Sequence, residues 1–289
     1  MESKYIESWK NQRIKAEGWF TLLRDKICKV LEDLEETCSL SSEISPQQFQ
    51  RKKWEREGGG GGVISILKEG RVFEKAGVNI STVHGEFSEA FRKEIPGAME
   101  DPRFWASGIS LVIHPRNPHV PIIHMNARMI ITTQLWFGGG IDLTPVFPHH
   151  EETSKFHKKL QEVCDCYDLE SYQKYKKWCE DYFFITHRNE ARGVGGIFYD
   201  YVNSGDWDKD FIFTKNVGTA FLEIYPEIVK CHYDVPWSTT DKTHQLRKRG
   251  RYVEFNLIYD RGTKFGLQTG GNVDAILMSL PPLAAWDDA

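Results

Sequence analysis

The chain has 289 residues, 40% of them hydrophobic, and a formal net charge of −4. This length is long for one domain and short for two, and glycines occur from end to end without a Pro/Ser-rich linker, so we expect a single domain over residues 1–289. The negative charge and the lack of a Lys/Arg block argue against nucleic-acid binding, and no apolar run approaches the roughly 20 residues that stable membrane insertion needs.

The N-terminal region, residues 1–50, is predicted to be a helical extension. Apolar residues recur at helical spacing from Trp19 to Leu34, which predicts a helix over about 5–40, followed by a polar stretch. The first ten residues have neither the apolar core of a signal peptide nor the acid-poor character of a transit peptide, so we expect a cytoplasmic protein. The six scattered cysteines lack CxxC spacing and are typical of free thiols in a reducing compartment.

Five consecutive glycines, 58–62, come next and lead into an apolar run at 63–67 that predicts a strand. A phosphate-binding loop is the alternative, but the Gly-Lys-Ser/Thr ending and a following helix start are both missing. Residues 71–81 are predicted to be extended with one turn.

Two strand-like runs, 108–114 and 124–131, carry the most informative pattern in the chain. Because strand side chains alternate between faces, one face of this pair collects hydrogen-bonding side chains while the other is apolar. The polar set is Ser110, His114, His124, Asn126 and Arg128. The connecting segment 115–121 contains three prolines and should be rigid. The pattern predicts a polar cavity floored by a sheet.

A glycine-rich segment, 136–145, follows and places Asp142 just beyond three glycines and before Pro145. The glycines permit unusual backbone geometry and close approach by a ligand. We expect Asp142 on a stiff turn, where it could pair with an N–H group or hold a positive charge. An ordinary turn or helix-cap aspartate is the alternative interpretation.

The remaining elements are mixed helices and strands. Helices are predicted at 150–163, 169–190 and 208–230, and a strand at 247–259, with a glycine-flanked Arg192 between the second and third helices. This order lacks regular βαβ spacing, so it indicates an α+β fold with a mostly antiparallel sheet.

Arginines and histidines suggest the chemistry. Arg128 and Arg192 around a glycine-floored cavity would suit a flat polyanionic ligand, because guanidinium groups pair with carboxylates in two-pronged fashion; ordinary surface ion pairs are the alternative. Widely spaced histidines could form a metal site, bond to an acidic ligand or serve structural roles. These are His114, His124, His157 and His187. GxSxG and a GxGxxG-type βαβ unit are missing, so serine hydrolysis and a Rossmann cofactor are unsupported.

Several long motifs then resemble one family. They are Gly58–Gly62 with Val72–Asn79, Gly108–Pro118, Trp136–Pro145, Lys177–Phe183 with His187–Phe198, Gly250–Leu257, Asp260–Thr263, Phe265–Gly271 and Ile276–Pro282. From about residue 50 to the C-terminus, the chain resembles the oxygen-dependent coproporphyrinogen III oxidases of haem biosynthesis. Residues 1–50 match most weakly.

This resemblance implies a large flat antiparallel β-sheet flanked by helices on both faces, working as a homodimer. It implies an oxidoreductase that acts on CH–CH groups with O2 as acceptor. Two propionates of coproporphyrinogen III would be oxidatively decarboxylated to vinyls, giving protoporphyrinogen IX, carbon dioxide and hydrogen peroxide. It implies no organic cofactor.

The resemblance also implies roles for residues. Asp142 would anchor the pyrrole N–H groups and assist deprotonation, Arg128 and Arg192 would grip propionates, and His124 would donate a proton. Substrate contacts would come from Ser110, Asn126, Arg128, Gly270, Gly271 and Asn272, the last standing where bacterial relatives often carry arginine. Ligands for a divalent metal such as manganese would be His114, His124, His157 and His187, although several members of the family are described as metal-independent. Residues 251–256 match a segment linked to dimer formation.

Two rival interpretations stay open at this point. A tetrapyrrole carrier would keep the cavity without turnover, and it would have no need of a carboxylate aimed at pyrrole nitrogens. A histidine-metal hydrolase would lose activity on chelation.

Overall fold

A computed structural model describes residues 3–38, 44–268 and 271–286. Its centre is a seven-stranded, wholly antiparallel sheet in the order β1-β2-β3-β4-β5-β6-β9, beside a two-stranded ribbon of β7 and β8. The strands are β1 (Gln50–Glu55), β2 (Gly60–Lys68), β3 (Phe73–Glu86), β4 (Arg103–Pro115), β5 (Ile122–Ile131), β6 (Leu135–Thr144), β7 (Phe184–Ile185), β8 (Glu190–Ala191) and β9 (Gly195–Val202). The helices are α1 (Lys4–Ser8), α2 (Lys10–Thr37), α3 (Glu89–Arg92), α4 (His150–Asp165), α5 (Ser171–Tyr182), α6 (Trp207–His232), α7 (Thr239–Ile258), α8 (Arg261–Gln268) and α9 (Val273–Ile276).

Helices cover both faces of the sheet, and the α+β prediction is confirmed. On one face, strand residues such as Leu111, Met125 and Ile141 are fully buried against apolar residues of α2, α4 and α6, and together they form the main core. On the other face, Tyr252 of α7 packs on Val112 and Ile122. Because side chains alternate along each strand, this second face is the one that collects the polar residues.

Two sequence-based element predictions are wrong. The helix expected over 169–190 ends at Tyr182, after which the chain forms β7, a short 3-10 turn and β8, with Asn189 in a left-handed conformation. The strand expected over 247–259 is the second half of α7. That helix begins with a capping box formed by Ser238 and Asp241, a start signal that the strand assignment missed.

The N-terminal helix α2 is part of the main core and not a peripheral extension. Its apolar residues Phe20, Ile27 and Leu31 are buried in the same cluster as the sheet. Glu35, near its end, is buried as well, and its carboxylate accepts hydrogen bonds from the backbone N–H groups of Arg71, Val72 and Phe73 at 2.8–2.9 Å. The carboxylate therefore satisfies the backbone between β2 and β3.

Replacing Glu35 by alanine should lower the free energy of unfolding by about 3 kcal/mol, because several buried donors would lose a charged acceptor. Urea unfolding followed by circular dichroism would measure it. The exposed neighbour Glu36 provides the control, and its alanine variant should stay within roughly 0.5 kcal/mol of the parent. A Glu35→Ala loss no larger than that of the control would contradict this role.

Candidate active site

The polar side chains of the second sheet face stand side by side because their strands pair in register. Ser110 of β4 is opposite Asn126 of β5, and His124 of β5 is opposite Asp142 of β6. Asn126 and Arg128 are opposite Gly140 and Gly138, which have no side chains. Cross-strand partners share a face, so these polar groups lie side by side on this face of the sheet, which we call the floor. The polar face predicted from the strand alternation is present, and the cavity above it stays a prediction.

Asp142 lies in the middle of β6, so the predicted stiff turn is wrong. Its strand neighbours are His124 on one side and Gly196 of β9 on the other. His124 Nδ1 donates to Asp142 Oδ1 at 2.8 Å, and Arg192 Nη2 donates to Oδ1 at 2.8 Å and Oδ2 at 2.7 Å. The carboxylate is on the same face as His124, but it is only 2% exposed.

Arg192 is the buried counter-ion of this carboxylate. Its backbone N–H donates to the carbonyl of Phe183, which fixes the loop between β8 and β9. Its guanidinium carbon lies 3.9 Å from the ring centroid of Phe183 and 4.6 Å from those of Tyr252 and Phe255. Three aromatic faces therefore surround the cation, which favours it electrostatically and keeps water away from the ion pair.

The electrostatic balance keeps Asp142 ionised. Burial alone would raise the pKa of the Asp142 carboxyl, but the charge of Arg192 and the hydrogen bonds from His124 and Arg192 outweigh it and hold the pKa below its ordinary value. Burial likewise works against the Arg192 cation, yet Asp142 keeps the pKa of Arg192 above its ordinary value. The pair is thus a fixed buried charge pair at neutral pH.

From Asp142 a line of hydrogen bonds leads to the half-exposed part of the floor. His124 Nε2 lies 3.1 Å from Asn126 Nδ2, so the amide donates to the ring nitrogen that does not face Asp142. Arg128 Nη1 reaches Asn126 Oδ1 at 3.5 Å, and Arg128 Nη2 donates to Asp200 Oδ2 at 2.6 Å. His124, Asn126 and Arg128 are all partly exposed, and so is Ser110. These groups are the ones that a ligand on the floor can touch.

The four histidines predicted as metal ligands do not come together. His114 bonds to the Ser279 carbonyl, His124 to Asp142, His157 to Tyr172 and the Val194 carbonyl, and His187 to Tyr259 and Glu254. Across residues 3–38, 44–268 and 271–286, no three His, Cys, Asp or Glu side chains are grouped to hold a metal ion. The donor set does not fit a divalent cation, and we derive no step through a metal.

Three C-terminal residues were predicted to contact the substrate: Gly270, Gly271 and Asn272. Gly270 lies outside the described residues. The Gly271 N–H donates to the Gly266 carbonyl at 2.9 Å, and the Asn272 side chain accepts from the Ala275 N–H and caps α9. Neither of these two contacts involves the residues of the floor, so their assignment to substrate stays a prediction.

Sequence reasoning missed two parts of the site. It assigned no role to Asp200, whose carboxylate accepts a hydrogen bond from Arg128. It also assigned the segment that contains Tyr252 and Phe255 to a strand. In the same segment, Arg249 is fully buried and donates to Glu74 and the Pro115 carbonyl. The capping box at Ser238 was the local signal that could have identified this helix.

One face of the sheet thus brings together a buried ionised carboxylate, a histidine, an amide and an arginine, an arrangement that would suit an anionic ligand beside an acid–base pair. A family model described as coproporphyrinogen III oxidase matches residues 15–288. The chain therefore belongs to the coproporphyrinogen III oxidase family, as the sequence motifs predicted. The match begins earlier than those motifs indicated.

Curated relatives agree over nearly the whole chain. A protein of Rickettsia bellii (strain RML369-C), named oxygen-dependent coproporphyrinogen-III oxidase, is 57% identical over 277 residues, which cover 96% of this chain and 99% of the relative. A protein of the same name from Rickettsia akari is 58% identical over 92% of this chain and 95% of its own length. One from Rickettsia africae is 57% identical over the same shares.

Two general sequence predictions can also be compared with the structure. Among the residues that the structure describes, none of the six cysteines takes part in a disulfide bond. In the part of the chain that the structure describes, no helix is both long and apolar enough to cross a membrane.

Proposed function

We propose that the protein catalyses the oxygen-dependent decarboxylation of two propionates of coproporphyrinogen III to vinyl groups, giving protoporphyrinogen IX. Each step consumes one propionic acid side chain and one O2 and releases one vinyl group, one CO2 and one H2O2, which balances atoms and electrons. The observation that carries the proposal is the line Asp142–His124–Asn126–Arg128 on the sheet floor. Family membership supplies the substrate and the oxidant.

The floor suits a reduced tetrapyrrole for two reasons. Gly140 adds no side chain opposite Asn126, so a broad macrocycle could lie against the partly exposed side chains of His124, Asn126 and Arg128. Arg128 is one-third exposed and can offer its free N–H groups to a propionate in two-pronged fashion.

His124 is the group of the acid–base pair that faces the ligand. The resemblance suggested that Asp142 itself holds the pyrrole N–H groups, but its oxygens are occupied by His124 and Arg192 and the carboxylate is buried. We therefore propose that Asp142 acts through His124. The ionised carboxylate holds the Nδ1–H of the ring, which leaves the lone pair on Nε2. In the free protein the Asn126 amide donates to this lone pair, and a pyrrole N–H would replace that donor and pass its proton to Nε2.

Loss of the pyrrole proton would leave an electron-rich ring that dioxygen can oxidise directly, so the proposal includes no organic cofactor and no metal. The buried Asp142–Arg192 ion pair beside His124 would stabilise this state without rearranging, because both of its partners are fixed before the substrate arrives. Arg192 then serves Asp142 and not a propionate. The single domain, the homodimer and the cytoplasmic location stay predictions.

The test is an assay of coproporphyrinogen III under air and under argon, with vinyl groups counted by mass spectrometry and metal content measured on the same sample. We expect two vinyl groups per product in air, none under argon, and no loss on chelation. Equal rates under argon would refute dioxygen as the oxidant. Tight binding without any product in air would favour the carrier interpretation, and loss on chelation the metal hydrolase.

Arg128→Met should raise KM by roughly 10-fold or more, because a charged hydrogen bond to a carboxylate contributes about 1.5–3 kcal/mol. Steady-state kinetics would measure it. The exposed Arg51 of β1, which pairs with Asp25, provides a matched Arg→Met control that should leave KM unchanged. Equal KM values in the Arg128 variant and the parent would remove Arg128 from substrate binding.

A further inference from the structure

Strand β9, at the edge of the sheet, contains a β-bulge where it pairs with Gly138 of β6. Phe137 pairs with Val202 and Gly139 pairs with Tyr199, so Gly138 alone faces two residues, Asp200 and Tyr201. A bulge of this kind breaks the alternation of side chains and turns one of them in a new direction.

The bulge is held in a strained conformation. Tyr201 has a φ of 56°, which is rare for a residue with a large side chain. Asp200 supports it locally, because its Oδ1 accepts a hydrogen bond from the Tyr201 N–H at 3.1 Å. Strain of this size persists only where the surroundings hold it, and it is concentrated at functional sites.

The redirected side chain is Asp200, and it meets Arg128. Its Oδ2 accepts from Arg128 Nη2 at 2.6 Å, and the Asp200 side chain is only 9% exposed. The pair occupies the space above Gly138, where an added Cβ would lie 2.4 Å from Asp200 Oδ1 and 3.0 Å from Arg128 Nε and Nη2. The bulge, the glycine and the carboxylate therefore fix one conformation of the arginine.

We propose that Asp200 is a positioning residue that preorganises Arg128 to receive a substrate carboxylate, an inference that rests on the role of Arg128 in the proposed function. Asp200 binds the Nη2 side of the guanidinium and Asn126 the Nη1 side. The long side chain is thereby ordered before the ligand arrives, and its remaining N–H groups stay available.

Whether removal of Asp200 weakens or strengthens substrate binding depends on which of two roles its carboxylate has. If Asp200 only competed with the substrate for Arg128, its removal would strengthen binding. If it orders the arginine, its removal makes the ligand bear the cost of immobilising that side chain. The short, nearly buried contact and the strained bulge that produces it favour ordering.

Asp200→Ala should therefore raise KM by about five- to tenfold and leave kcat within about twofold, since one mobile arginine must be ordered on binding. Asp200→Asn, which keeps an acceptor oxygen without the charge, should raise KM less. Asp208→Asn in the first turn of α6, where the carboxylate is 77% exposed, is the matched control and should change neither constant. An unchanged or lowered KM in Asp200→Ala, or a loss of kcat alone, would overturn the proposal.

A double-mutant cycle separates this inference from the proposed function. If Asp200 acts only through Arg128, then Asp200→Ala has no further effect on KM in the Arg128→Met background. A persistent effect in that background would overturn the inference and leave the role of Arg128 intact. An Arg128→Met variant with a normal KM would instead refute that role.

If Asp200→Ala folds poorly, substitutions at Tyr201 can test the bulge instead, because they leave every charge in place. Glycine adopts a φ of 56° without strain, so Tyr201→Gly should keep the Asp200–Arg128 contact and a parental KM. Valine disfavours that conformation, so Tyr201→Val should reshape the bulge and raise KM as Asp200→Ala does. Equal KM values for the two Tyr201 variants would contradict the proposal.

Discussion

Alanine in place of Asp142 is expected to lower kcat by about 10³-fold or more, because general acid–base catalysis by the paired His124 would be lost. Without the carboxylate, nothing holds the Nδ1–H of the ring, and Nε2 no longer presents its lone pair to the floor. Steady-state assays in air, with the vinyl product quantified, would measure the loss. A kcat within tenfold of the parent would refute the role of Asp142.

The same substitution should also reduce stability, and a second variant separates the two effects. Removing one partner of a buried ion pair costs about 3–5 kcal/mol, since the Arg192 cation is left buried and unpaired. A domain of ordinary stability, about 5–15 kcal/mol, should survive that loss. Asp142→Ala combined with Arg192→Met removes both charges and should recover much of the stability while kcat stays low. Recovery of kcat together with stability would show that Asp142 has only a structural role.

Arg192→Met is expected to change how both activity and stability depend on pH. In the parent, the pKa of Asp142 lies below its ordinary value, so the pair contributes stability above the pKa of the unfolded chain, and this is lost as pH falls through the folded pKa. Without Arg192, burial dominates and raises the pKa of Asp142. The destabilisation caused by Arg192→Met should therefore grow as the pH rises from about 3 to 7, toward about 3–5 kcal/mol.

Kinetics provide the second measurement for Arg192. Because ionised Asp142 is needed, the acid limb of the kcat profile should move to higher pH in Arg192→Met. Arg249→Met is the matched control: it breaks another buried pair, with Glu74, outside the polar line. Because Glu74 keeps Lys242 as a partner, Arg249→Met should cost less stability than Arg192→Met, and it should leave the acid limb in place. An acid limb that stays in place in both variants, or that moves equally in both, would refute the electrostatic role of Arg192.

The sequence predicted the floor of the site well because that part depends on local alternation. Ser110, His124, Asn126 and Arg128 are spaced by even numbers within two strands, so their common face follows from the strand period alone. Their meeting across the sheet then needs only antiparallel pairing of consecutive strands, which is the commonest arrangement.

The predictions that were wrong concern parts of the fold that depend on contacts between distant segments. Three glycines made residues 138–140 resemble a turn, since glycine is unfavourable inside a strand, yet all ten residues of β6 are buried. The apolar positions in residues 247–258 are compatible with both the helical and the strand repeat. The segment is a helix because Tyr252 and Phe255 are then both buried against Arg192. The bulge at Asp200 likewise exists only in the pairing of β9 with β6.

The most direct measurement is the structure of the protein with coproporphyrinogen III bound under argon. The account predicts the macrocycle on the polar face beside Asn126, a pyrrole nitrogen within hydrogen-bond distance of His124 Nε2, and a propionate on Arg128. Asp142 should remain buried beside His124, bonded to Arg192. A macrocycle bound away from the polar face would contradict this account, and so would an Asp142 carboxylate that leaves Arg192 to contact the pyrrole nitrogens itself.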